Sequence, residues 1–321
     1  MVENYLSLVE KEIKKQEFGD RPKSLYQPIR YMMGLGGKRL RPLFTCLSYS
    51  LYRDDVEKII PYAVAVEAFH NFTLLHDDIM DKAPLRRGKK TVHEKWNLNT
   101  AILSGDVMLV KVYDLFVGLD EKKLKEVLRL FNRCAAEVCE GQQLDMEFEG
   151  QGKVSEVAYL EMIRLKTAVL LGFCLELGAL LAEAPAVDRN ALREFGVNIG
   201  IGFQLKDDWL DVYADKKKFG KQVGGDILAN KKTFLLIKAL EKAEGREKAE
   251  LKRWLAAKKF SNPEKVRAVT SIYNGLHLSD LTEQKIKFFF EQGFSSLNCI
   301  STARQTQPLR EFVEALIDRE V

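Results

Sequence analysis

Apolar residues recur along this 321-residue chain at three- and four-residue intervals, as in Leu124, Val127, Leu128 and Phe131, while apolar–polar alternation over strand-length windows is hard to find. A spacing that follows the helical turn predicts helices throughout, and hence an all-α fold. Pro22, Pro28, Pro42, Pro61, Pro84, Pro185 and Pro263 stand where helices are expected to start or stop. They divide the chain into at least about ten helices. The N-terminal segment VENYLSLVEKEIKKQEF reads as an amphipathic helix, charged from Glu3 onward and without the apolar core of a signal peptide. The C-terminal LREFVEALIDREV reads the same way. Ala168 to Ala182 is the most apolar stretch; interrupted by Glu176, it falls short of the ~20 residues that span a bilayer and is expected to be a buried core helix. No Ser/Gly/Pro-rich linker or repeat separates two halves, so a single domain over residues 1–321 is expected.

Composition supports a sizeable core, with 46% hydrophobic and 30% charged residues. Fifty basic against forty-six acidic residues leave a net charge of +4, too balanced for a nucleic-acid-binding surface, so any anion site must be local. The five cysteines are odd in number and scattered, without a C-x-x-C pair, which fits a reducing, cytoplasmic setting.

Two aspartate triplets carry the candidate chemistry. LLHDDIMD places Asp77, Asp78 and Asp81 in D-D-x-x-D spacing, and FQLKDDWLD repeats it with Asp207, Asp208 and Asp211. On a helix, residues four apart share a face, so each triplet forms a carboxylate pair one turn apart. Residues 63–75 and 195–205, just ahead of each triplet, are mostly apolar, which puts both pairs at the ends of buried helices. Like charges so placed repel unless a cation neutralises them. Carboxylates without His or Cys partners suit Mg²⁺, which shares its coordination with water and substrate phosphates, and a diphosphate substrate follows. The spacing lacks the glycine and terminal glutamate of an EF-hand.

Basic residues accompany the triplets. GLGGKRLRP brings Lys38, Arg39 and Arg41 beside glycines that permit a tight turn close to an anion. Arg86 and Arg87 follow the first triplet, and arginine's planar fork matches phosphate oxygens. Lys166 and Thr167 precede the apolar run, Gln204 lies one turn before Asp208, and Lys221 and Lys231 follow the second triplet. His70, seven residues before Asp77, shares its helical face and can donate to a phosphate; a histidine on an apolar helix is otherwise a satisfied core residue.

In order, GGKRLRP, the His70 helix, LLHDDIMD, LRRG, GQQLD, KT, FQLKDDWLD, FGK and GGD resemble the trans-isoprenyl diphosphate synthase family over most of the chain. The resemblance implies an all-α barrel-like bundle, usually a homodimer, with both triplets facing a deep central cavity. It implies Asp77, Asp81 and Asp207 as Mg²⁺ ligands, supported by Asp78, Asp208 and Asp211. Arg86, Lys166, Thr167, Gln204, Lys221 and Lys231 then match the allylic diphosphate site, and Lys38, Arg41, His70 and Arg87 the isopentenyl diphosphate site. Phe69, Phe72 and Thr73 match positions that limit chain growth, favouring fifteen- or twenty-carbon products. Terpene cyclisation and an inactive partner subunit are the alternatives. The first has no use for a second basic site, and the second is expected to have lost ligands that are complete here.

Overall fold

The computed structural model describes residues 1–214, 224–300 and 305–318, and within them lie sixteen α-helices, a short 3-10 turn, a π-helical segment and one hairpin of two-residue strands. The all-α expectation is met. Contacts group the chain into two compact units, one of residues 1–133, 173–193 and 300–309, the other of residues 134–172, 194–299 and 310–321.

The first unit is built from α1 (Val2–Lys15), α2 (Lys23–Met33), α3 (Leu40–Ser50), α4 (Ile60–Met80), α5 (Val92–Lys95) and α6 (Leu98–Val117), joined by the start of α7 (Glu121–Gly150). Helix α4 is its centre and packs against α1, α2, α3, α5 and α6. Apolar on nearly every side, it buries Ala63, Val64, Ala65, Val66, Ala68, Phe69, Phe72 and Leu75, as a helix surrounded by others must. Pro61 stands in its first turn, where its missing N–H costs nothing. Its far end closes at Lys82, left-handed at φ 50°: Ala83 N–H bonds the Asp78 carbonyl at 2.9 Å and Lys82 N–H the Ile79 carbonyl at 3.2 Å. That pair of bonds is a Schellman stop, and it falls on the first aspartate triplet.

Pro28 departs from the sequence expectation. It lies inside α2 and not at a boundary, one of that helix's buried residues. The other unpredicted element is the hairpin of β1 (Leu85–Arg86) and β2 (Lys89–Lys90). Arg87 (φ 52°) and Gly88 (φ 72°) form its two-residue turn, with positive φ at both centres as the right-handed twist of paired strands prefers. Four strand residues are too few to leave an alternation in the sequence.

The second unit holds the end of α7, α8 (Glu156–Ile163), a five-residue π-helical segment Arg164–Ala168, most of α10 (Ala186–Tyr213) and the helices from α11 (Gly225–Ala229) to α15 (Leu278–Leu297). A core of Val212, Ile227, Leu235, Leu236, Leu251, Val269, Ile272, Tyr273 and Leu278 underlies the end of α10. Between the two lies α9 (Val169–Leu181) in sequence, which realises the predicted core helix, its residues 168–182 all buried. The last helix, α16 (Gln307–Ile317), matches the amphipathic C-terminal segment.

Candidate active site

In the first unit the basic residues sort into different roles. Arg39 is buried: Nε reaches Glu10 and Nη1 reaches Glu67, each at 2.7 Å, and Nη2 donates to the Met33 carbonyl at 2.7 Å. It clamps the glycine-rich turn onto α4, with each of its three nitrogens engaged inside the protein. Arg41, two residues on, places Nη1 3.0 Å from His70 Nε2. Guanidinium only donates, so Nε2 accepts, and the proton of the neutral ring sits on Nδ1, the nitrogen left to donate. Enclosure, then the charges of Arg41, Arg87, Arg86 and Arg39, hold His70 well below the ordinary histidine range, so the ring is neutral at pH 7.

The hairpin brings its arginines to this group. A Cβ on Gly37, whose φ is 137°, would stand 2.8 Å from Arg87 Nη2, so only glycine lets the turn lie against that guanidinium. Lys38, next to Gly37 in the chain, is exposed. Gly37, Lys38, Arg41, His70 and Arg87 thus form one basic patch from three stretches of sequence. Arg86 turns to the first triplet instead. Its Nε lies 2.8 Å from Asp78 Oδ2 and its Nη2 2.8 Å from Asp78 Oδ1, with Asp77 at 3.5 Å. Asp78 is 3% exposed in its side chain and Asp77 22%. Burial pushes Asp78 above the ordinary carboxylate range against the pull of Arg86.

Beneath the triplet, one to two turns back along α4, Phe72 lies against His76 with ring centroids 4.7 Å apart and against Phe69 at 5.7 Å. Phe69 packs on Phe131 at 5.0 Å, and Phe131 also meets Tyr113, Phe116 and Phe173. Thr73 spends its hydroxyl on the His70 carbonyl at 2.8 Å. The aromatic wall is deeper than Phe69, Phe72 and Thr73 imply; Phe131, on α7, is its hub, and nothing in the sequence sets it apart from other helical apolar residues.

In the second unit, Asp207, Asp208 and Asp211 occupy the last turns of α10. Asp208 is buried: Tyr159 donates to Oδ2 at 2.6 Å and Gln204 to Oδ1 at 2.9 Å, while Thr167 donates to the Gln204 amide oxygen at 3.2 Å. Lys166 meets Asp145, of the GQQLD motif, at 2.6 Å. Lys166 and Thr167 sit within the π-helical segment, a local widening often found at functional sites. A Cβ on Gly141 would fall 2.1 Å from the Lys166 backbone nitrogen, so α7 approaches that segment backbone to backbone. Asp211 accepts the Asp226 N–H at 2.9 Å, which folds the GGD segment onto the triplet. Burial raises Asp208, Asp211 and Asp226 above the ordinary carboxylate range; the other carboxylates add to it and Lys231 opposes it. Tyr159 is a site residue that spacing does not single out, whereas Asp145 and Asp226 entered the sequence reading only as members of GQQLD and GGD. Lys221 lies outside the described residues.

Among the described residues no three His, Cys, Asp or Glu side chains converge into a ready-made metal cage. The donors are carboxylate oxygens without nitrogen or sulfur partners, a set that fits a hard cation completing its shell with water and phosphate.

An all-helical fold carrying two D-D-x-x-D clusters, each with basic residues beside it, defines a prenyltransferase. The chain belongs to the polyprenyl synthetase family, whose model ("Polyprenyl synthetase") matches residues 22–273. It is 41% identical to the short chain isoprenyl diphosphate synthase of Methanocaldococcus jannaschii over 83% of this chain and 81% of that one. It is similar to a crystal structure of geranylgeranyl pyrophosphate synthase, at 40% identity and a TM-score of 0.94 over 100% of this chain and 99% of that one. A polyprenyl synthase from Caulobacter crescentus CB15, complexed with calcium and isoprenyl diphosphate, is 28% identical with a TM-score of 0.87, covering 99% and 96% of the two chains.

Proposed function

We propose that this protein joins isopentenyl diphosphate head to tail to an allylic diphosphate, dimethylallyl, geranyl or farnesyl, and releases diphosphate with a linear fifteen- or twenty-carbon product. The observation that carries the reading is the second anion patch of Gly37, Lys38, Arg41, His70 and Arg87, assembled apart from the Arg86–Asp78 pair. A terpene cyclase has no second diphosphate to bind.

In this reading Asp77, Asp81 and Asp207 hold Mg²⁺, with Asp78, Asp208 and Asp211 bracing them. When bound, the metal would neutralise the allylic diphosphate and help it leave. Arg86, Lys166, Thr167, Gln204, Lys221 and Lys231 supply donors to the same leaving group. Lys38, Arg41, Arg87 and the Nδ1–H of His70 hold isopentenyl diphosphate so that its double bond meets the allylic carbon as the C–O bond breaks. Leaving-group stabilisation and alignment together lower the barrier by on the order of 10 kcal/mol. The proton lost from the condensed product passes to the released diphosphate, and no dedicated protein base is required. Phe72, with Phe69 and Phe131 behind it, floors the growing chain, in keeping with the short-chain and geranylgeranyl synthases the chain resembles.

The protein works as a single domain and as a cytoplasmic homodimer. Helix α6 supports the second point: Leu103, Val110 and Val117, seven residues apart, are 57%, 57% and 65% exposed, a stripe that a second copy would cover. No helix among the described residues is long and apolar enough to cross a membrane.

The test is incubation with Mg²⁺, labelled isopentenyl diphosphate and each allylic primer in turn, with products identified after dephosphorylation. Linear products that vanish with a chelator and in Asp77→Ala support the reading. Failure to extend any primer in the presence of Mg²⁺ overturns it.

A further inference from the structure

We propose that Tyr159 is a positioning residue of the second aspartate cluster: its hydroxyl clamps Asp208 from a neighbouring helix and so fixes the attitude in which Asp207 and Asp211 present their carboxylates to metal and diphosphate. The role of Asp207 and Asp211 in this statement rests on the function proposed above; the clamp itself rests on geometry.

Both oxygens of Asp208 are engaged from within the protein. Oδ2 takes the Tyr159 hydroxyl at 2.6 Å, short enough for a charge-assisted bond, and Oδ1 takes the Gln204 amide at 2.9 Å. Asp208 is 5% exposed and Tyr159 1%. Asp208 is therefore a bracket inside the fold, tying α8 to the end of α10, and the aspartates beside it on the helix surface follow its orientation. Asp207 is its immediate neighbour, so any roll of that turn swings the Asp207 carboxylate with it.

The clamp is held at its own end. Ser155 caps α8 through the Ala158 N–H at 3.2 Å, and Glu156 in the first turn pairs with Lys238 at 2.6 Å and Lys285 at 2.7 Å. The Tyr159 ring stands 6.5 Å from that of Phe234. On the other side the chain runs on from Asp208 through Gln204 to Thr167 in the π-helical segment. A hydroxyl at position 159 thus links α8, the last turns of α10 and the Lys166–Thr167 segment into one hydrogen-bonded line.

The experiment is Tyr159→Phe in the full chain, which removes one oxygen and keeps the ring. Mn²⁺ binding is titrated by electron paramagnetic resonance in the presence of inorganic pyrophosphate, and KM is measured for the allylic primer and for isopentenyl diphosphate separately. Mn²⁺ binding is expected to weaken roughly tenfold, the scale on which groups behind a metal's ligands act. The allylic KM should rise, and the isopentenyl diphosphate KM should stay within about twofold of wild type, since its residues lie in the first unit. With Asp208→Asn, the double variant should be no worse than Asp208→Asn alone. Mn²⁺ binding at the wild-type level, equal rises in both KM values, or additive losses in the double variant would each overturn the clamp. The metal titration needs no turnover. If wild type binds Mn²⁺ with pyrophosphate yet extends no primer, the proposed function fails and the clamp is still judged.

Discussion

His70 lies among four arginines and keeps its ring neutral, because a proton there would be enclosed and repelled at once. The sign of the resulting pH dependence follows from its depressed folded value. Between that value and the unfolded one near 6.5, the unfolded chain binds the extra proton and the folded protein does not, so folding loses stability as pH falls through this window and none above it. The ceiling for one proton is about 1.4 kcal/mol per pH unit. His70→Gln should flatten that part of the stability curve, as read by urea unfolding at pH 5, 6 and 7; parallel curves for wild type and variant would rule the effect out. At Phe72 the side chain's bulk matters and its chemistry does not. Phe72→Ala opens the wall beneath Asp77 down to Phe69 and Phe131, and its products should be longer than those of wild type by one or more five-carbon units when separated by reversed-phase chromatography.

Element ends set the site more than element interiors do. Helix α4 stops in a Schellman turn on the first triplet, the hairpin lays Arg86 against Asp78, and the π-helical segment carries Lys166 and Thr167. Each depends on a close backbone contact or a buried tie elsewhere. Gly141 is one: a methyl group 2.1 Å from the Lys166 nitrogen cannot be absorbed by a flexible side chain. Gly141→Ala should cost about 3 kcal/mol in chemical denaturation and lower turnover beyond the loss of folded protein, because the segment must shift. The Arg39–Glu67 pair is another, both side chains 3% exposed or less. Glu67→Gln leaves a buried guanidinium partly uncompensated and should destabilise by about 3–5 kcal/mol, measurable by the same unfolding method. These ties explain why sequence grouped Arg39 with Lys38 and Arg41: all three are basic and adjacent, and only packing turns one of them inward.

At the scale of the whole molecule, the exposed stripe of α6 carries the proposed assembly. Leu103→Glu with Val110→Glu puts two like charges on it, and the expected result is a shift from dimer to monomer in light scattering with little change in far-ultraviolet circular dichroism. A wild-type protein that is already monomeric would remove the assembly proposal.

The helical spacing of apolar residues, the two aspartate triplets at the ends of apolar segments and the buried stretch at Ala168 to Ala182 were all legible in the chain, because periodicity and local charge repulsion depend on neighbours in sequence. The hairpin with its two positive-φ residues, the hidden side of Arg39, the proton on His70 Nδ1, the Phe131 hub and the Tyr159–Asp208 bond were decided in three dimensions. Each joins residues from different elements, with the aromatic hub alone spanning α4, α6, α7 and α9, and the energy that selects them comes from burying polar groups with their partners and rings against rings, which no local pattern encodes.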